Sequence, residues 1–172
     1  AREGAQVTIP VVFHIIHNGD PVGTNENLSD ALLQAQLGQL NADYARMNAD
    51  AAMTPAAFQG VAANTMIQFC LATLDPNNNP TTGIIRTHIN TLPGNVSEND
   101  CWTDTYIQAN MIDPLRWNTA NYFNIFTVEM IRGLDGNMQC IDEGTLGYAQ
   151  FPGGPANSDV AVHLSSTIGS VA

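Results

Sequence analysis

His14 and His17 stand three residues apart in the stretch TIPVVFHIIHN, a spacing that raises the question of a shared metal ion. The stretch is rich in β-branched residues and predicts a β-strand, in which residues three apart point to opposite faces. The two imidazoles therefore cannot chelate one ion, and we expect core or strand-end positions for both. His163, in the stretch DVAVHL, is expected to be structural as well, and His88 is expected in a loop with no partner nearby in the sequence.

The segment GLDGNMQCIDEG carries three carboxylates, from Asp135, Asp142 and Glu143. Hard oxygen ligands of this kind suit Ca²⁺, so a calcium site is one interpretation of the segment. The spacing does not match an EF-hand loop, because no glycine stands at the sixth position. The default expectation is a solvated loop, with calcium binding as the alternative.

The chain has three cysteines, Cys70, Cys101 and Cys140, and no C-x-x-C motif, which argues against a zinc knuckle or a thioredoxin-type site. Cys70 lies inside an apolar run and is predicted to be a buried thiol. Cys101 and Cys140 both lie in polar loop sequence, and in a secreted protein they are the expected disulfide. The alternative is a partner cysteine beyond Ala172.

The composition limits the classes of partner. The 172 residues are enough for one domain with a core, and sixteen Asp and Glu against five Arg and no Lys give a net charge of −11. This charge opposes binding to nucleic acid and to anionic membranes. No run approaches the roughly 18 apolar residues of a membrane span. We therefore expect no nucleic-acid partner and no membrane partner.

The elements that must position these residues follow from the hydrophobic pattern. Strands are predicted in QVTIPVVFHIIHNGD, from Met66 to Thr73, in NYFNIFTVEMI, in TLGYAQFPGG and in DVAVHL. One helix is predicted from Ser29 to Asn48, and Asn27 or Ser29 can cap its start. Its apolar stripe recurs at steps of four and three and consists of Leu33, Leu37, Leu40, Tyr44 and Met47.

The order of these elements predicts an α/β fold, a twisted five-stranded sheet with one long backing helix. The β-α-β opening favours parallel neighbours, because the helix forms the crossover between them. The LGYAQF stretch is bounded by Gly and by Pro-Gly-Gly, which is typical of an edge strand. The residues from Thr87 to Asn118 are rich in Asn, Thr and Asp and predict a long irregular loop.

Five segments, in this order and spacing, resemble the first half of a pappalysin-family metzincin, the group of secreted zinc endopeptidases that includes ulilysin. They cover nearly the whole chain and read TIPVVFHIIHN, FCLATLDPNNNPTTGIIR, WNTANYFNIFTVEM, LGYAQFPGG and SDVAVHLSS. The resemblance implies a metzincin-like N-terminal subdomain, with four parallel strands, an antiparallel edge strand and one backing helix. It also implies a secreted, extracellular protein.

In that family the element after the fifth strand is the active-site helix, which carries His-Glu-x-x-His-x-x-Gly-x-x-His. The first two histidines of the motif bind zinc, and the glutamate acts as general base toward the zinc-bound water. None of the four histidines here belongs to such a motif. We therefore expect residues 1–172 to be a single incomplete domain that ends just before the zinc-binding helix. Zinc is expected only if the C-terminal part is present, and the chain alone should be inactive.

The resemblance also implies a substrate site on the LGYAQF strand. In metzincins this strand lies above the cleft, and a substrate peptide pairs with its free backbone groups. Gly147, Tyr148, Ala149 and Gln150 would line the non-primed side of that cleft, and this chain would supply no catalytic residue. The alternative is an ordinary short edge strand that is blunted by Pro152.

Two functions are consistent with these observations. The first is the N-terminal portion of a secreted zinc-dependent endopeptidase, which hydrolyses peptides or proteins with zinc-bound water. The second is a secreted structural or self-assembling module that uses a metzincin half-domain without catalysis. A mostly parallel sheet needs both faces covered, and in a metzincin the active-site helix packs beside the long helix against the same side of the sheet. Without that helix we expect roughly five or six large apolar side chains to be left bare. The C-terminal half of the same protein, or neighbouring copies, should cover them.

Overall fold

The computed structural model describes residues 5–151 and 153–169, and eight strands lie in these ranges. They are β1 (Val7–His17), β2 (Ile67–Leu71), β3 (Ile84–His88), β4 (Phe123–Val128), β5 (Gly133–Leu134), β6 (Cys140–Ile141), β7 (Gly147–Ala149) and β8 (Val160–Leu164). Strands β1 to β4 and β8 pair in parallel, and β7 pairs antiparallel with β8 at one edge. Strands β5 and β6 form a separate hairpin. The predicted α/β fold, a mostly parallel sheet with an antiparallel edge strand, is confirmed.

Strand β1 is central, as its run of β-branched and aromatic residues predicts, and its residues from Val11 to Ile16 are buried. One of its sides pairs with β4, and the other pairs first with β2 and then with β3. The prediction of five strands is therefore wrong by one, because β2 and β3 share one edge position. The chain leaves the sheet after β2 and rejoins it after Gly83, where a Cβ would lie 2.8 Å from the Ala72 nitrogen.

The predicted backing helix is present as α1 (Asp30–Tyr44), with the Ser29 hydroxyl accepting a hydrogen bond from the Leu32 N–H. It ends earlier than the predicted Asn48, because Arg46 adopts a left-handed conformation with φ of 56° that an α-helix cannot continue through. Met47 is consequently 78% exposed and does not belong to the buried stripe.

A second helical segment, α2, corrects the prediction of an irregular loop from Thr87 to Asn118. It is α-helical over Asp104–Ile107, π-helical over Gln108–Ile112 and α-helical again over Asp113–Leu115. Thr103 caps its start by accepting a hydrogen bond from the Tyr106 N–H. Short 3₁₀ turns occupy Ala51–Met53, Ala56–Phe58, Ile89–Thr91, Ala156–Ser158 and Ser165–Thr167. Among the described residues, no helix has the length and apolar character needed to cross a membrane.

The core has two layers, one on each face of the sheet. On the α1 face, α1 packs on side chains that include Val11, Phe13, Ile15, Phe69 and Ile125. On the α2 face, α2 and the loop before it pack on side chains that include Ile16, Phe126, Val128, Val160 and Val162. The sheet side chains expected to be bare are mostly buried, so that expectation is wrong. On the α1 face, the sheet side chains are covered by Leu28, Leu33, Leu37 and Ile168. On the other face they are covered by α2, which was not predicted.

Candidate peptide-binding edge

The candidate site is built on β7, a three-residue strand that, within residues 5–151 and 153–169, pairs only with β8. Its register places Gly147 opposite His163 and Ala149 opposite Ala161. A glycine is needed at the first position, because a Cβ there would lie 2.7 Å from the Val162 carbonyl oxygen and 3.0 Å from His163 Nδ1. The sequence thus allows a close approach of β7 to β8 at this point.

The hydrogen-bonding pattern decides which backbone groups of β7 face outward. The Leu164 N–H donates to the Leu146 carbonyl oxygen at 2.9 Å, so this pair belongs to the bonded set of the antiparallel ladder. Bonded and non-bonded pairs alternate along such a ladder. The next bonded pair is Tyr148 with Val162, and the N–H and C=O groups of Gly147 and Ala149 point to the free edge. An extended peptide could pair with these groups.

The four predicted site residues differ in what they present. Gly147 is half-buried and Ala149 is exposed, and both lie on the face opposite the Tyr148 side chain. Tyr148 packs against the α2-face core, and its hydroxyl is buried without a hydrogen-bond partner among the described residues. Burial and the nearby Asp104 carboxylate raise the pKa of Tyr148 above its ordinary value. Gln150 is exposed beyond the end of β7 and accepts a hydrogen bond from the Ser158 hydroxyl at 3.0 Å. Pro152, considered as a blunting residue, lies outside the described residues.

Cys101 and Cys140 form a disulfide with a Cα–Cα distance of 5.6 Å. This bond joins strand β6 to the residue before the buried Trp102, which is 1% exposed. Cys70 remains a free thiol on β2 and is half-buried, not fully buried as predicted. It lies on an edge strand, where only one side of the backbone is paired.

The acidic segment before β7 uses its carboxylates in turns. Asp135 accepts hydrogen bonds from the Asn137 and Gln139 N–H groups, both at 2.8 Å, and Asp142 accepts one from the Gly144 N–H at 2.9 Å. Within residues 5–151 and 153–169, no three His, Cys, Asp or Glu side chains are grouped so that they could hold a metal ion. Calcium binding by Asp135, Asp142 and Glu143 stays a prediction.

His14 is a core residue on β1, 1% exposed, and stacks on Phe126 with ring centroids 4.3 Å apart. Its Nε2 lies 3.0 Å from Asn124 Oδ1, while its Nδ1 is buried without a partner. Burial lowers the pKa of His14 to about 4, although the Asn124 hydrogen bond opposes this shift. Asn124 also accepts from the Trp117 N–H and donates to the Trp117 carbonyl. The sequence reasoning missed this network, and the asparagine inside the largely apolar run FNIFTV was the available signal.

The other histidines do not form a zinc site: His17 ends β1 and His88 ends β3, whereas His163 lies on β8 beside β7. His88 is not in a loop but ends β3, and its ring lies 5.3 Å from that of His17. Each of these two rings accepts a backbone N–H at Nδ1, which leaves the proton of the neutral ring on Nε2 and disfavours metal binding there. His163 is half-buried on β8, and burial lowers its pKa. The described residues therefore do not fit a catalytic zinc, which needs three protein ligands.

Comparison with solved structures shows extensive similarity to mirolysin. A structure of mirolysin in complex with compound 9 has a TM-score of 0.73 and 33% sequence identity, covering 96% of this chain and 55% of that chain. Mature mirolysin of Tannerella forsythia in complex with a cleaved peptide has a TM-score of 0.73 and 34% identity, with the same coverage. A promirolysin variant from T. forsythia has a TM-score of 0.72 and 34% identity, covering 96% of this chain and 48% of that chain. No protein-family model and no curated protein matches the chain.

The parallel sheet, the antiparallel edge strand and these similarities support a protease-related domain with a metzincin-like fold. More particularly, the resemblance to the pappalysin group is confirmed, because mirolysin is a metzincin of the pappalysin and ulilysin type. The chain spans about half the length of the mirolysin chains that it matches, which is consistent with an N-terminal half.

Proposed function

We propose that this chain is the N-terminal portion of a secreted zinc-dependent endopeptidase, and that it supplies the sheet and the edge strand on which the substrate peptide lies. The observation that carries the proposal is the free edge of β7, where the backbone groups of Gly147 and Ala149 have no partner strand among the described residues. Support comes from the similarity to mirolysin, one structure of which holds a cleaved peptide.

The proposed role of β7 is to hold an extended peptide by main-chain hydrogen bonds. Because β7 contributes backbone groups, this part of the site would accept many side chains and would mainly fix the direction and depth of the peptide. Zinc supplies the activated water in this class of enzyme. Its ligands are proposed to lie in a C-terminal part of the protein, since the described residues do not fit them.

A groove of about 700 Å³ beside α1 offers a place where that C-terminal part could pack. Its apolar lining lies at the amino-terminal ends of the parallel strands and includes Ile9, Leu40, Tyr44, Phe69, Tyr122 and Phe123. Tyr44 is 38% exposed at the end of α1, so covering the groove would bury further apolar area. In this arrangement the partner that covers the groove is the C-terminal part of the same protein.

The second candidate function, a self-assembling module without catalysis, is favoured by one different observation. The segment after α1 exposes large apolar side chains, with Met53 and Val61 each 80% exposed and Phe58 61% exposed. Clustered exposed apolar side chains are typical of contact surfaces. In this alternative, neighbouring copies would cover that segment.

A measurement on the protein isolated from its source separates the two functions. Intact mass, zinc content and hydrolysis of an extended peptide are determined with and without a chelator. A polypeptide well above 18.4 kDa that contains zinc and loses its peptidase activity with the chelator supports the endopeptidase. A protein of about this mass that forms oligomers and cleaves no peptide under any of these conditions contradicts it.

A backbone substitution tests β7 itself. Ala149→Pro removes an N–H that points to the free edge and is not needed by the ladder with β8. We expect kcat/KM for an extended peptide to fall by about three- to tenfold, the net effect of one hydrogen bond. Ala149→Ser keeps the N–H and serves as the matched control, and thermal melts of both variants check folding. Equal activity of two folded variants would contradict peptide pairing at this position.

A further inference from the structure

The connection from β4 to β7 is weakly attached to the rest of the molecule. All of its residues from 132 to 146 are exposed or half-buried, and within the described part of the chain strands β5 and β6 pair only with each other. Two backbone hydrogen bonds tie its ends, from the Arg132 N–H to the Trp102 carbonyl at 3.0 Å and from the Leu164 N–H to the Leu146 carbonyl at 2.9 Å. Noncovalent packing therefore does little to hold residues 132–146 in place before β7 begins.

The covalent attachment of this connection is the disulfide between Cys101 and Cys140. Cys140 is exposed on β6, whereas Cys101 is followed directly by Trp102, which is buried in the α2-face core and donates from Nε1 to the Ser97 carbonyl at 2.9 Å. The bond thus joins an exposed hairpin to the residue directly before a fully buried tryptophan. Seven residues along the chain from Cys140, Gly147 begins β7.

We propose that Cys101 and Cys140 are positioning residues for the edge strand: their disulfide restricts the hairpin so that β7 stays paired with β8. The tight approach of Gly147 to the Val162 carbonyl leaves little tolerance for displacement of β7. Three residues of antiparallel pairing are short for an independently stable strand. The consequence for peptide binding rests on the proposed function, but the positioning of β7 does not.

The test follows the backbone amide of Tyr148 by hydrogen exchange in the full natural chain. The Tyr148 N–H faces β8, so its protection reports the pairing of β7 directly. In the double variant Cys101→Ser/Cys140→Ser we expect this amide to exchange at least tenfold faster, while the Phe126 amide at the sheet centre stays protected. Cys70→Ser removes the remaining thiol from the opposite edge of the sheet and should leave the Tyr148 amide unchanged.

Two further readouts keep the result unambiguous. If the double variant does not fold, the same exchange measurement is made on wild-type protein whose disulfide has been reduced under native conditions. Unchanged protection of Tyr148 after loss of the disulfide, by either route, overturns the proposal. Accelerated exchange together with a raised KM for an extended peptide and an unchanged kcat supports both the positioning and the proposed function. Accelerated exchange with unchanged hydrolysis supports the positioning and counts against peptide binding at β7.

Discussion

The centre of the sheet and its β7 edge are held together by different forces. On β1 and β4, Phe13 and Phe126 are fully buried, and each strand is paired on both sides. In the described part of the chain, strand β7 pairs on one side only, and the hairpin before it is tied to the domain by a disulfide. Removing interactions at the centre should therefore lower global stability, whereas removing them at the edge should increase local opening. A peptide-binding edge needs unpaired backbone groups, which the centre cannot offer.

The largest expected effect comes from cutting a buried ring out of the centre. Phe126→Ala removes a fully buried side chain that stacks on His14 and packs against α2. We expect the free energy of unfolding to fall by about 3–5 kcal/mol, as is typical of such a truncation. Denaturant titration measures the loss. The matched control at the edge is Phe151→Ala, because Phe151 is 84% exposed, and we expect a change within about 0.5 kcal/mol. Equal losses for the two variants would remove the contrast between centre and edge.

A second effect at the centre depends on pH. Burial lowers the pKa of His14 from 6.5 to about 4, so the unfolded chain takes up a proton in this range more readily than the folded chain. The stability contributed by the neutral ring is fully present above pH 6.5 and is lost as the pH falls toward 4. The linked loss is roughly 3 kcal/mol at most. Unfolding free energies measured between pH 7 and 4 give the slope.

The control for this pH effect is His14→Gln, which keeps a donor toward Asn124 but does not titrate. The variant should be less stable than the wild type at pH 7, and its stability should vary less between pH 6.5 and 4. The remaining variation reports the other groups that titrate in this range, among them His17, whose pKa is lowered by burial and by the nearby His88. An acid limb that is as steep in the variant as in the wild type would show that His14 is not its source.

The same contrast explains which elements the sequence predicts. Strand β1 and helix α1 are visible because their apolar residues recur with a clear period, which burial requires. Helix α2 is not, because the apolar residues Ile107, Met111 and Ile112 stand among Asn, Gln, Asp and Thr and pass through a π-helical turn that breaks the 3.6-residue repeat. Strand β3 was not predicted, because it follows a turn and is defined as a strand by its pairing with the second half of β1.

The candidate site is predicted from the sequence only as far as the position of its strand. The boundaries of LGYAQF and its place at the edge follow from the glycine and proline residues around it and from the family resemblance. The sequence does not predict which backbone groups are free, because the alternation of bonded and non-bonded pairs depends on the register between Gly147 and His163. The burial of the Tyr148 side chain against α2 could not be predicted either, because α2 itself was not predicted.

The smallest expected effect lies in two turns of the same design, one in each half of the chain. In both, an aspartate carboxylate accepts N–H groups two and four residues later, from Asn77 and Asn79 in the first and from Asn137 and Gln139 in the second. The residue before the last is left-handed in both, Asn78 with φ of 63° and Met138 with φ of 61°. Asparagine tolerates this conformation better than methionine does.

Met138→Gly should therefore raise the free energy of unfolding by about 1 kcal/mol. The relief of left-handed strain in the folded chain is expected to exceed the stabilisation of the unfolded chain by the added conformational entropy of glycine. Asn78→Gly should change it by only a few tenths of a kcal/mol. Met138 is 73% exposed, so little apolar burial is lost with its side chain. Urea midpoints of the two variants and the wild type measure the difference. If the β5–β6 hairpin opens independently of the core, the gain will appear in hydrogen exchange of the hairpin amides and not in the global midpoint, which would locate the boundary between edge and centre. A loss of stability in Met138→Gly by both measurements would show that the turn is not strained at this residue.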